Sequence, residues 1–250
     1  MPLVEYSLVA LKAVMDRQEL RSHRSILCFS YPDVIVPQAR LVEIFGDRVK
    51  GLPIRNDSQK TVEWHKAQGI LTDVVDTAAL FDRLGYKFRC IDVTEGRGGE
   101  FIHDLSEWVR PGWGYHGNDI VFDCISHQVF NVATAWFNMA SVCRPGGAVV
   151  SVTALNLVNN GYWNISPAAY HDFFEKKLKF ECHYRAVSTK YGKAETVPTD
   201  PVTRLRNVPD DAVNLFVGYK PDDCTLPIDP TDVKWPTMTK FDRFPKSHRS

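Results

Sequence analysis

From Arg24 to Lys220 short apolar runs alternate with stretches of helical spacing, and this alternation constrains the fold more than any other feature. Runs rich in β-branched and aromatic residues read as strands, and apolar residues three or four apart read as amphipathic helices. "SILCF" is the first strand; "VPQARLVEIFG" then has helical spacing, starting near Val34 and stopping at Gly46. Residues 47–69 read as a loop followed by a short helix. "DTAALFDRLG" is a helix with Asp76 or Thr77 as its N-cap and Gly85 as its stop. "YKFRCIDV", "GEFIHDL" and "GNDIVFDCIS" are strands, the last preceded by a Gly-rich aromatic loop, "RPGWGYHGN". A long helix, "QVFNVATAWFNMASVC", ends at "RPGG" and leads into a buried strand, "AVVSVTAL". "SPAAYHDFFEKKL" is a helix capped by Ser166 with Pro167 at its first position. The last two strands, "KFECHYRAVST" and "AVNLFVGYK", have no helix between them.

Strands alternating with helices predict an α/β fold with a doubly wound, mainly parallel sheet. The two final strands predict an antiparallel hairpin at one edge, for seven strands in all. Residues 24–220 form the domain. Residues 1–23 supply an amphipathic helix (Leu8, Leu11, Met15) that docks on the domain or on a partner chain, leaving homo-oligomerisation open, and residues 221–250 form an irregular tail. Acidic and basic residues balance at 30 each, which removes any global electrostatic reason to bind nucleic acid or an anionic membrane. No run approaches the roughly 20 apolar residues of a membrane span, and Glu5 and Lys12 interrupt any signal-peptide core. The six cysteines show no CxxC spacing, and Cys28, Cys90 and Cys124 lie in or beside apolar runs, as expected of a reduced, cytoplasmic protein. The eight histidines have no zinc spacing, and no P-loop or GxSxG occurs, which argues against phosphoryl transfer and a serine-hydrolase elbow.

Four motifs in order narrow the reading. "DTAALFDRLGYKFRCIDVTEG" resembles the helix, strand and acidic strand end of the class I S-adenosylmethionine-dependent methyltransferases. "GEFIHDLSEW" resembles their next strand, and "CRPGGAVVSVTALN" their Gly-Gly turn and fifth strand. "NNGYWNISPAAYHDFF" and "HQVFN" are similar to a subset of methyltransferase-like proteins, linked to glycan or small-molecule modification, that read roughly N-H-G-F-Y-Q-F-S-P and E-H-V-F-N there. The chain departs from the family in two places. The first strand runs into "FSYPD", where the family has a Gly-rich turn, and the fourth into "DCISHQ", which lacks the subset's two glycines.

The resemblance implies S-adenosylmethionine as cofactor and a methyl transfer to oxygen or nitrogen of a small acceptor, a small molecule or a glycan such as a sugar. The cofactor candidates are Ser30, Tyr31, Asp92, Asp104 and Asp123. Asp92 would accept the ribose hydroxyls and Asp104 the adenine amino group, whereas Asp33 would cap the following helix. Tyr31 would narrow the cofactor cavity. The catalytic candidates are His127, Asn156, Asn160 and Tyr162. An imidazole with a pKa of about 6.5 can take a hydroxyl proton near neutrality, and amide and phenol groups suit sugar hydroxyls. Each has a purely structural counterpart: a turn for Asp104, a helix cap for His127, a tight turn for the asparagines. Trp113, Tyr115 and His116 would form an aromatic lid. The lost glycines also fit a methyltransferase-like protein without activity that serves as a binding or assembly module. A nucleotide-dependent enzyme of different chemistry has support from the fold alone.

Overall fold

The computed structural model describes residues 2–17, 24–66, 72–97, 99–188, 195–201, 203, 205, 208, 210–224, 226 and 235. The strands are β1 (Arg24–Phe29), β2 (Tyr86–Asp92), β3 (Phe101–Ile102), β4 (Asn118–Asp123), β5 (Cys143–Ala154), β6 (Glu181–Ser188), β7 (Glu195–Pro198) and β8 (Ala212–Tyr219). They form one sheet in the order β3-β2-β1-β4-β5-β8-β6-β7. β3, β2, β1, β4 and β5 pair in parallel, while β8 enters antiparallel between β5 and β6. Seven of these are the expected strands; β7 is an addition outside β6.

The pleat divides the core. Ile26 and Cys28 of β1, Ile120 and Phe122 of β4, and Val150 and Val152 of β5 face one side. Leu27 and Phe29, Val121, and Val149 face the other. Successive strand residues point to opposite faces, so a strand apolar at every position is one covered by helices on both sides. The first side is covered by α1 (Glu5–Arg17), α2 (Gln38–Phe45) and α4 (Thr77–Arg83). The second carries α5 (Val132–Val142) and α6 (Pro167–Tyr170), which continues through π-helical turns to Lys177. The short α3 (Ser58–His65) lies beyond the end of β1.

Local signals account for most helix boundaries. Asp76 accepts from the Ala79 N–H and Ser166 from the Ala168 N–H. Gly85 ends α4 at φ 80°. α2 differs from expectation. It starts at Gln38 rather than near Val34, because Val34 is drawn into isolated bridges with Leu3 and Val75, and its neighbours Asp33 and Ile35 bond the Leu3 backbone. Asp33 is therefore not its cap. His127 does not cap α5 either; Asn131 does, accepting from the Thr134 N–H. α1 contributes Leu8, Leu11, Val14 and Met15 to the main core and is integral to the domain. Among the described residues no helix is long and apolar enough to cross a membrane, and the six cysteines are unpaired thiols. Most of the 221–250 tail lies outside the described residues.

Candidate functional site at the carboxyl ends of the parallel strands

The end of β1 answers how a chain without glycines makes the opening turn. Ser30 adopts φ 67°, in the left-handed region where glycine is the usual occupant. Two bonds hold it there. Its N–H donates to the Ile91 carbonyl at 2.7 Å and its hydroxyl to Asp92 Oδ2 at 2.8 Å. Asp92 also receives the Tyr31 N–H on Oδ2 at 3.3 Å and the Val93 N–H on Oδ1 at 2.8 Å. Three donors thus occupy a carboxylate with about four acceptor positions, so one position remains for a ligand hydroxyl while Ser30 stays in place.

Tyr31 turns its ring back over the sheet, edge-on to Phe88 at 5.4 Å, while Phe88 stacks on Phe81 of α4. Burial raises its phenol pKa. Beside it lies a cluster that sequence reasoning missed. Arg55, with a side chain only 5% exposed, ion-pairs with Asp33 and, at 2.6 Å, with Asp57. Arg97 reaches over from the β2–β3 connection to Asp57 at 2.7 Å and Asp33 at 3.4 Å. The Arg55 guanidinium holds the Asp57 carboxyl below its usual pKa. Asp33 is thus an electrostatic anchor for the turn. Arg55 and Arg97 carried no periodic or motif signal; only the fold brings residues 33, 55, 57 and 97 together.

These groups border a cavity of about 380 Å³, within the range of small-molecule sites. Ser30, Tyr31 and Asp33 form one wall, Lys60 and Trp64 of α3 another, and Arg97 a third. Trp64 is 81% exposed, so its indole is available for stacking. Asp92 sits behind Ser30 and is not part of the lining.

At the end of β4 the side chains are locked together. Asp123, fully buried, accepts from the Ile125 and Ser126 N–H groups on Oδ1 and from the Ser126 and Ser151 hydroxyls on Oδ2. Ser151 and Thr153 in turn share the buried Tyr170 hydroxyl, at 2.8 and 2.9 Å. His127 follows in a 3-10 turn and is fully buried. Among the described residues its Nδ1 has no hydrogen-bond partner, and burial lowers its pKa from 6.5 to about 4. The loop after β5 seals it: Trp163 N–H donates to the His127 carbonyl at 3.1 Å, and a Cβ on Gly161 would lie 2.6 Å from that same oxygen.

Asn156 is a clamp, its Oδ1 accepting from the Ala212 N–H while its own N–H donates to the Ala212 carbonyl at 3.2 Å. The Asn160 carbonyl accepts from the Gln128 side chain at 3.3 Å. Tyr162 is exposed and meets Phe130 edge-on at 5.4 Å. Asp104, also exposed, bonds the Ser106 N–H at 2.8 Å, a turn of the Asx type. In the Gly-rich loop, Tyr115 stacks on Phe101 at 4.2 Å and Trp113 meets Phe101 edge-on, while His116 contacts the Ser141 and Val109 carbonyls. The candidates therefore fall into two groups: Ser30, Tyr31 and Asp92 beside the cavity, and Asp123, His127, Asn156, Asn160 and Tyr162 across the ends of β4 and β5. Asp104 stands apart.

The residues present fit a nucleoside cofactor at the first group: a glycine-type turn is made, one Asp92 position is open, and a cavity of suitable size adjoins them. No family model and no curated relative matches the chain. Solved structures of similar fold do. One is a methyltransferase in complex with the Haloferax volcanii Trm112 methyltransferase activator, at 11% identity and TM-score 0.41, covering 86% of this chain and 91% of that one. Another is an S-adenosylmethionine-dependent O-methyltransferase from Thermotoga maritima, at 11% identity and TM-score 0.35, covering 88% and 67%. A third is the YcgJ protein of Bacillus subtilis, at 11% identity and TM-score 0.38, covering 87% and 99%. At these identities and scores, function has to be argued from the chain's own residues. The strand order itself is that of the class I methyltransferase fold, with the extra edge strand β7.

Proposed function

We propose that the chain is an S-adenosylmethionine-dependent methyltransferase acting on oxygen or nitrogen of a small acceptor. The observation that carries this reading is Ser30. A serine held at φ 67° by two hydrogen bonds, at the end of the first strand and beside a 380 Å³ cavity, keeps the glycine-type turn without glycine. Backbone strain of this kind concentrates at functional sites. When bound, S-adenosylmethionine supplies an electrophilic methyl group. The chain's part is to hold and align. Asp92 would take a ribose hydroxyl on its open position, the Asp33–Arg55–Arg97 cluster would keep the turn rigid, and the loops after β4 and β5 would receive the acceptor. His127 would serve a hydroxyl acceptor as base only with the 156–163 loop lifted. An amine arriving deprotonated would need no base.

Two observations favour a second reading, a binding or assembly module without activity. Three protein donors already sit on Asp92, and His127 is sealed in a neutral form. Calorimetry with S-adenosylmethionine and S-adenosylhomocysteine decides between them. Micromolar binding of both supports the enzyme; no heat with either, from folded protein, supports the module.

A further inference from the structure

We propose that the loops after β4 and β5 form a binding platform for an uncharged carbohydrate ring, with Phe130, Tyr162 and Trp163 as its apolar floor. That the sugar is the methyl acceptor rests on the reading above; the binding itself does not.

Three aromatic side chains lie together on this surface, Phe130 70%, Tyr162 67% and Trp163 41% exposed. Phe130 contacts Tyr162 at 5.4 Å and Trp163 at 6.1 Å between ring centroids. Clustered exposed aromatics of this kind mark interaction surfaces. The floor is preorganised. The Trp163 indole N–H donates to the Val129 and Phe130 carbonyls, both at 3.1 Å, and its backbone N–H to the His127 carbonyl at 3.1 Å. A ring fixed before a ligand arrives loses little entropy on binding it.

The surroundings select the ligand. Neither "ISHQVFN", residues 125–131, nor "NLVNNGYWN", residues 156–164, contains Asp, Glu, Lys or Arg. His127, the one titratable imidazole there, is buried and neutral near pH 7. A charged ligand would find no counter-charge in these loops. They are instead rich in amides, and no hydrogen bond among the described residues engages the side chains of Asn159, Asn160 or Asn164. A purely apolar partner would cover these amides without satisfying them. A pyranose offers both requirements, a C–H face for stacking on the rings and neutral hydroxyls that donate to and accept from amides. The platform also lies at the carboxyl ends of the strands, where open α/β sheets receive ligands.

The test is saturation-transfer NMR on the full chain, without S-adenosylmethionine, using methyl glycosides of glucose, galactose, mannose and N-acetylglucosamine. Galacturonate and p-cresol serve as charged and apolar comparisons. At least one neutral glycoside should receive saturation on its ring C–H protons. Trp163→Ala should weaken it about tenfold or more. Phe130→Ala, at a position too exposed to disturb folding, should weaken it as well. Binding of p-cresol with no glycoside, preference for galacturonate, or glycoside binding unchanged in both variants would overturn the proposal. Calorimetry with S-adenosylmethionine separates the two claims: glycoside binding without cofactor binding keeps the platform and removes the methyl-transfer reading, and the reverse result removes the platform alone.

Discussion

At the scale of single residues, Ser30 and His127 make opposite demands. Ser30 occupies a conformation that costs an L-residue roughly 1–2 kcal/mol, offset by its bonds to Ile91 and Asp92. Ser30→Gly removes both strain and hydroxyl, so its stability should stay within about 1 kcal/mol of wild type. Ser30→Val, β-branched at positive φ, should cost more than about 2 kcal/mol. Urea denaturation reads both, and equal effects would show that the turn is not what holds Ser30. Asp92→Ala should weaken S-adenosylhomocysteine binding by about 1–3 kcal/mol, the range for a hydrogen bond to a charged group; unchanged calorimetric affinity would remove Asp92 from the site. His127 has a folded-state pKa of about 4, below its ordinary 6.5. The unfolded chain therefore binds the proton more readily. Stability from this residue is complete above pH 6.5, falls as pH drops toward 4, and levels off below, by roughly 3 kcal/mol at most. The stability difference between wild type and His127→Gln should shrink over that window. A difference that stays constant with pH would mean that the imidazole is free to protonate in the folded protein.

At the scale of elements, two contacts hold loops and helices in place. Lys220, 6% exposed, donates its ammonium to the Ala140 and Cys143 carbonyls, each at 2.7 Å, where α5 passes into β5. Positive charge at a helix C-terminus is favourable and satisfies carbonyls that the helix leaves open. Burial lowers the pKa of Lys220, so the bonds and the dipole sustain its charge against desolvation. Lys220→Met should destabilise by about 1–3 kcal/mol in chemical denaturation. Gly161 does comparable work in the loop over His127. Alanine there would place a Cβ 2.6 Å from the His127 carbonyl and 2.9 Å from its ring. The loop must then lift. Gly161→Ala should cost about 1–3 kcal/mol and raise solvent exchange at His127, measurable by NMR titration as an imidazole pKa moving back toward its ordinary value. An unchanged titration would show that this loop is not the seal.

At the scale of the whole molecule, both sheet faces depend on helices far away in sequence. α1 buries Leu8, Leu11, Val14 and Met15 among strand residues of the main core. At about 1.5–3 kcal/mol per buried side chain, their loss rivals the 5–15 kcal/mol total of a typical domain. A chain lacking residues 1–17 should therefore lose its cooperative calorimetric transition; a sharp transition within a few degrees of wild type would make α1 an appendage. The alternation of runs such as "SILCF" and "QARLVEIF" determined the class of fold and the seven expected strands, because periodicity is a local property written residue by residue. The caps at Asp76 and Ser166 were equally legible, since a cap acts within three residues of itself. The delayed start of α2 was not, because it depends on Leu3 and Val75, both distant from Val34 in the chain; nor was β7, a four-residue edge strand that pairs with β6 alone. The same holds at the site. Residue type, together with the family resemblance and the places of the strand ends, pointed to Asp92, His127 and Tyr162. Only the tertiary structure decided that Asp92 is three-quarters occupied, that Asp33 pairs with Arg55 and Arg97 instead of capping a helix, and that His127 lies neutral under Gly161. Hydrogen-bond occupancy and desolvation are set by what folding brings within a few ångströms, and sequence spacing carries no record of that.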